Sequence, residues 1–229
     1  MTRFFDIILS FFALLVFFPF GIIIMLILRF TGEGEIFYTQ TRIGKNGRNF
    51  GLLKFATMLK NSPAIGTGDI TIKNDPRVLP LGHFLRKTKI NEIPQLINIL
   101  VGDMSIVGPR PQTPKNFKYF TPKEKEVILL MRPGLTGIGS IVFRDEETYT
   151  SQANDPIAFY DEVIQPYKGE LELWYYENKS LRVDASLVFL TAWVILFPKS
   201  QLVYRMFRSL PVKDMNEAVK NFNDGKLIK

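Results

Sequence analysis

Residues 7–28 read IILSFFALLVFFPFGIIIMLIL. These 22 residues carry no charge, and roughly 20 apolar residues cross a bilayer as a helix. Arg3 and Arg29 bracket the run. A cleaved secretory signal has a shorter apolar core and a small-residue cleavage site, so the segment reads as an uncleaved anchor. Pro19 stands in its middle with Gly21 close behind. Proline removes a helical hydrogen bond and bends the helix. Two readings stay open: a kinked spanning helix, or a re-entrant hairpin with both ends on the cytoplasmic side. Basic residues at both ends fit the second. The expected organisation is an anchor over residues 1–30, a cytoplasmic domain over 31–198, and a basic, polar, peripheral tail over 199–229.

The 229 residues suffice for one core plus an appendage. Eight of the 20 Phe lie in the first thirty residues. The net charge of +7 suits anionic partners: lipid headgroups, phosphorylated small molecules or nucleic acid. With no recognisable nucleic-acid module and an anchor present, nucleic acid is set aside. There is no Cys, so disulfides and thiolate metal sites are excluded. A single His83 allows no His-based triad or zinc site and reads as a packing or surface residue.

Beyond the anchor the pattern is mixed. Residues 36–41 and 50–58 alternate around a Gly44–Gly47 turn and predict a hairpin. Residues 61–80 form a long loop rich in Gly, Asp, Pro and Thr. Helices are predicted over 82–89, 92–101, 122–131, 156–167 and 170–178. Pro94 falls in the first turn of the second of these, and Gly102 ends it. MRPGLTGIGSI, residues 131–141, reads as a turn and then a strand. Residues 181–197 predict a helix lying in the membrane surface or beside the anchor, with a buried core helix as the alternative. The fold class is α+β, mainly helical, with a small β-hairpin.

Chemistry concentrates in NEIPQLINILVGDMSIVGPRP, residues 91–111. Arg110 lies between two prolines, which restrict the backbone and lower the entropic cost of aiming its side chain. The planar fork of Arg suits a diphosphate. Lys54, Arg77, Arg86 and Arg132 also sit beside turns, prolines or helix starts and are candidate phosphate contacts. Glu92 at a helix start is explained by the helix dipole or as a ligand for Mg2+, which takes one or two carboxylates plus substrate phosphates. It could also attack phosphorus covalently. Asp103 is a cap or part of the same site, and Asp75 is a turn residue.

The chain resembles the bacterial sugar transferases, the monotopic phosphoglycosyl transferases. The resemblance runs from about Phe4 to Phe197. It rests on the Pro-interrupted anchor, KFATM, NDPRV, LRKTKINEIPQLINILVGDMSIVGPRP, MRPGLTG and WYYENKSLRVD. It implies transfer of a sugar-1-phosphate from a UDP-sugar to undecaprenyl phosphate at the cytoplasmic face of the bacterial inner membrane, assisted by Mg2+. It implies membrane lipid as a partner and leaves a homodimer open. The family's core is an Asp-Glu pair, the Asp attacking the β-phosphate and the Glu helping to hold the metal. Glu92 matches the Glu, Arg110 the phosphate-binding Arg, and Pro19 the helix-breaking proline. Asn91 stands where the Asp is expected. Ala56 replaces a Lys or Arg, and Phe18 a Ser. Three explanations of Asn91 follow: Glu92 is the nucleophile, the lipid phosphate attacks directly, or the chain is an inactive partner in glycan assembly.

Overall fold

The computed structural model describes residues 3–68, 70–198 and 200–226. The outermost residues of the expected anchor and tail, and position 199, lie outside these. Helix α1 spans Arg3–Phe30 and continues through Pro19. Among the described residues it is the one helix long and apolar enough to cross a membrane, and only 6% of its most apolar window is buried. Phe4, Phe12, Leu15, Phe18 and Phe30 point outward. Its inner face is docked on the domain toward both ends. Arg3 donates to the carbonyls of Ile99 and, at 2.6 Å, Leu100. Buried Asp6 accepts from the Ser105 hydroxyl at 3.0 Å and the Ile106 N–H at 2.9 Å. Ala13 and Leu14 pack on Leu52, Leu96 and Ile99. At the far end Leu28 packs with Phe55 and Leu85.

The predicted hairpin forms as β1 (Phe37–Ile43) and β2 (Asn49–Phe55), antiparallel about a turn at Lys45–Gly47. After an irregular stretch come α2 (Pro80–Lys87), a single 3-10 turn (Ile90–Glu92) and α3 (Gln95–Val101). Strand β3 (Ser105–Val107) is followed by α4 (Pro114–Phe117) and α5 (Pro122–Leu130). Strand β4 (Gly134–Thr136) then pairs in parallel with β3. Helix α6 (Ile138–Val142) occupies the positions expected to be strand. Ile138 and Ile141 are both buried, and a spacing of three fits one helical face as well as an irregular strand.

Helices α7 (Glu146–Gln152) and α8 (Pro156–Phe159) lead through a π-helical turn (Tyr160–Ile164) into α9 (Gln165–Asn178). The two helices expected over 156–178 are thus one continuous helical run. Helix α10 (Leu181–Leu196) packs one face into the core, as the second reading of it expected. Leu187, Leu190 and Val194 enter the core, while Phe189, Ile195 and Leu196 stay exposed.

The expectation of a peripheral tail is corrected. Residues 200–226 carry α11 (Leu202–Met206) and α12 (Met215–Asn223). Val203, Leu210, Met215 and Val219 join the main core with Phe159, Tyr167, Leu171 and Trp174. Charges between these apolar positions hid a helix with one buried stripe.

Candidate active site

Asn98 of α3 acts as a clip. Its Oδ1 accepts from the Leu53 N–H at 3.0 Å and its amide donates to Gly51 O at 2.8 Å, both on β2. Fixing α3 against β2 in this register brings the next strand residue, Lys54, to Glu92, with Nζ 3.6 Å from Oε1. Glu92 is presented by a compact turn. Lys89 takes a left-handed conformation (φ 61°) that closes α2, one 3-10 turn follows, and Pro94, lacking an N–H, leads into α3.

Arg110 arrives from the other side. Gly108 N–H donates to Thr136 O at 3.0 Å and Gly134 N–H to Pro109 O at 2.8 Å. A Cβ at Gly108 would lie 2.3 Å from the Arg132 carbonyl, so only glycine lets the two chain segments pass this closely. The Arg110 guanidinium reaches Ser140 Oγ at 3.4 Å.

These groups line one cavity of about 1170 Å³. Its polar wall includes Lys54, Arg86, Lys89, Asn91, Glu92 and Arg110. Its apolar wall includes Ala13 and Phe17 of α1 and Val188, Val194 and Ile195 of α10. Ala56 and Asn91 both line it, as does His83. Burial alone would raise the Glu92 pKa, but the attraction of Lys54, Lys89 and Arg110 outweighs it and brings the carboxyl to about 2. Burial, with repulsion from Arg110, Arg42 and Arg86, outweighs Glu92 and lowers Lys54 to about 7. Glu92 is therefore an anion at neutral pH, attracted by Lys89 and Arg110 and paired with Lys54, which carries its proton about half of the time there.

The predicted phosphate contacts divide. Lys54 and Arg110 stand together beside Glu92. Arg86 lines the cavity but is tied to Glu147 of α7 at 2.6 Å. Arg77 is corrected: it is buried, its fork paired with Asp75 at 2.6 Å and donating to the carbonyls of Ser62, Ile65, Gly68 and Ile70. Arg77 braces the 61–75 loop, and Asp75 is its partner in that turn. Arg132 is corrected likewise. Its Nε donates to Gly102 O at 3.1 Å, and it does not line the cavity. Asp103 accepts from the Asn98 amide at 3.4 Å.

Several site residues escaped the sequence reading. Arg42 of β1 lines the cavity, donates to Pro111 O at 3.0 Å, and closes a small cleft with Lys54, Glu92 and Arg110. Its alternation in TQTRI was the available signal. Lys168 is buried against Glu146 at 2.5 Å and lies over the Tyr160 ring, 4.7 Å from its centroid. Glu172, also buried, sits behind Arg110.

The donors suit a hard cation that brings ligands of its own. Asn91 Oδ1 is buried with no hydrogen-bond partner, and Glu92 beside it is ionised. No cluster of three acidic or His side chains suited to a metal occurs among the described residues. One carboxylate and one amide oxygen are too few for a protein-made cage, and fit Mg2+ completed by phosphates and water.

The sequence model of the bacterial sugar transferase family matches residues 1–198. The exopolysaccharide production protein ExoY of Sinorhizobium fredii is 35% identical over 203 residues, 82% of each chain. The undecaprenyl-phosphate galactose phosphotransferase of Salmonella typhimurium is 31% identical over 86% of this chain and 40% of its own length. The UDP-N-acetylgalactosamine-undecaprenyl-phosphate N-acetylgalactosaminephosphotransferase of Aeromonas hydrophila is 31% identical over 83% of this chain and 42% of its own length. The last two are thus more than twice as long as the stretch this chain matches.

Proposed function

Since the chain belongs to the bacterial sugar transferase family, we propose that it transfers a sugar-1-phosphate from a UDP-sugar to undecaprenyl phosphate, releasing UMP, as the first step of a lipid-linked glycan. The observation that carries this reading is the single cavity. Its cationic lining of Lys54, Arg86 and Arg110 suits a diphosphate, and its apolar lining includes residues of α1 and α10, two helices with exposed apolar faces. A water-soluble dianion and a lipid phosphate can both reach such a place.

The residues take distinct roles. Arg110 and Lys54 hold the phosphoryl oxygens and offset the charge that builds up on them during transfer. Arg86 joins them once it leaves Glu147. Glu92 and Asn91 Oδ1 would hold Mg2+, which when bound adds positive charge at the diphosphate. Asn91, a neutral amide, offers no nucleophile, and Glu92 is held as a weakly basic anion. The lipid phosphate then attacks the β-phosphorus directly: its oxygen forms the new P–O bond, and the bond to UMP breaks. Without a covalent intermediate, labelled UMP exchanges into UDP-sugar only when lipid phosphate is present. Exchange without lipid would move the attack to Glu92.

The decisive measurement is UMP release by the purified protein in lipid, with polyprenyl phosphate, Mg2+ and a panel of UDP-sugars. Release with at least one sugar is expected, and removing the metal with EDTA is expected to stop it. Asn91 supports a second reading, an inactive membrane-bound partner in glycan assembly. Folded protein that releases no UMP with any sugar would favour that reading instead.

The seat on the membrane follows from α1. Both of its ends contact the same domain, through Arg3 and Asp6 at one end and Leu28 at the other. This supports an anchor that keeps both ends on the cytoplasmic face, although α1 runs unbroken through Pro19 instead of turning back as a hairpin. Single cysteines at Thr2 and Thr31 are expected to resist an impermeant thiol reagent in intact cells and to react once the cells are opened. Labelling of one alone in intact cells would mean a spanning helix.

A further inference from the structure

Prolines carry no N–H, so the 108–111 segment has two backbone donors, Gly108 and Arg110. Gly108 is used on Thr136. The Arg110 N–H goes to a side chain on another element, Glu172 Oε1 of α9, at 3.3 Å. We propose that Glu172 is a positioning residue for Arg110: its carboxyl oxygen fixes the Arg110 backbone and so aims the guanidinium into the cavity. The inference rests on the reading of Arg110 as a phosphate clamp.

Three observations support it. Glu172 is only 2% exposed and its Oε2 has no hydrogen-bond partner, so the carboxyl's contact with Arg110 is its one named polar bond. Gly139 makes room for it, since a Cβ there would lie 2.9 Å from Oε1. Ser140, the next residue, receives the guanidinium of the same Arg110. Backbone and side chain of Arg110 are thus held from α9 and α6, at adjacent points.

The charge state fits the role. Burial pushes Glu172 up to about 8, against the pull of the Arg110 N–H, Lys168 and the Arg110 guanidinium. The charged and titratable groups near it are few. Lys168 is committed to Glu146 and Tyr160, and Tyr175 donates to Asp184. A neutral acid accepts the N–H without cancelling the positive charge that the phosphates are to meet. An ionised carboxylate there would compete with the diphosphate for Arg110.

The test measures UDP binding by calorimetry on the full chain in lipid, with thermal melting as the control for folding. Arg110→Ala is expected to weaken UDP about tenfold or more, the loss of one charge-assisted contact. Glu172→Leu is expected to match that loss. Glu172→Gln, which keeps a neutral acceptor, is expected to bind as the wild type does. The double variant Glu172→Leu with Arg110→Ala is expected to be no weaker than Arg110→Ala alone, because both changes remove one device. Wild-type binding by Glu172→Leu, multiplied losses in the double variant, or failure of Glu172→Gln would each overturn the proposal. If Glu172→Leu does not fold, Glu172→Asp draws the acceptor back by one methylene and must weaken UDP; full binding by it overturns the proposal too. Wild-type protein that binds UDP yet releases no UMP would sink the transferase reading and leave this one standing.

Discussion

Glu92→Gln is expected to abolish most UMP release while the melting temperature stays near that of the wild type, and Arg110→Ala to do the same. Each removes one well-placed charge from the proposed point of transfer. Such losses cost about 2–4 kcal/mol of transition-state stabilisation, a factor of roughly 30 to 1000 in kcat/KM. The fold should survive both changes. Glu92 is held by charge attraction at the wall of an open cavity, and Lys54, already lowered to about 7, can lose its proton when its partner is neutralised. Arg110→Ala keeps the backbone N–H that Glu172 accepts. Near-normal turnover by either variant in the lipid assay would mean that the transfer happens elsewhere in the cavity.

Arg77→Ala is expected to act by a different route, through stability. Its guanidinium has neutral loop carbonyls and the Thr67 hydroxyl as acceptors in addition to Asp75, whose carboxyl is held below its usual pKa chiefly by the Arg77 hydrogen bond. Removing Arg77 takes the charged partner from Asp75 and one donor from each of four carbonyls of the 61–75 loop; those of Ser62, Ile65 and Ile70 keep a second donor. Breaking one half of a buried pair costs about 3–5 kcal/mol, which in a chain of this size lowers the melting temperature by roughly ten degrees. Arg77→Lys should recover little, because an ammonium cannot reproduce the fork. Because loop residues such as Ser62, Gly68 and Asn74 line the cavity, substrate binding should fall together with stability. An unchanged melting curve with a raised KM alone would instead restore Arg77 to direct phosphate contact.

Arg77 also shows where sequence reasoning stopped. An Arg beside a proline in a polar loop has the same local sequence whether it faces a substrate or its own chain. The difference lies in carbonyls of residues 62–70, aimed at it by a loop with no periodicity. The same holds for Glu172 and Lys168: in KGELELWYYEN a charge every few residues resembles a solvated face, and only the packing of α6 and the π-helical turn buries them. The tail was misread for the converse reason, its apolar positions being too sparse to outweigh their charged neighbours. What was legible had strong local causes. The uncharged run of 7–28, the alternation around Gly44–Gly47, and the prolines and glycines that start and stop α2 and α3 each restrict the backbone directly. Arg110 and Glu92 were found because prolines mark the turns that hold them; Arg42, on a regular strand, had no such marker.

The docking of α1 by Arg3 and Asp6 at one end and Leu28 at the other also sets a height. On the proposed membrane seat, a domain tied to both ends of its anchor cannot swing or lift away from the bilayer. The cavity, which both α1 and α10 line, would then keep one height relative to the headgroups. The lipid acceptor reaches it by sliding within the plane, and only the soluble donor must arrive from the third dimension. Loosening the Asp6–Ser105 contact would let that level drift, and the rate would then depend on bilayer thickness.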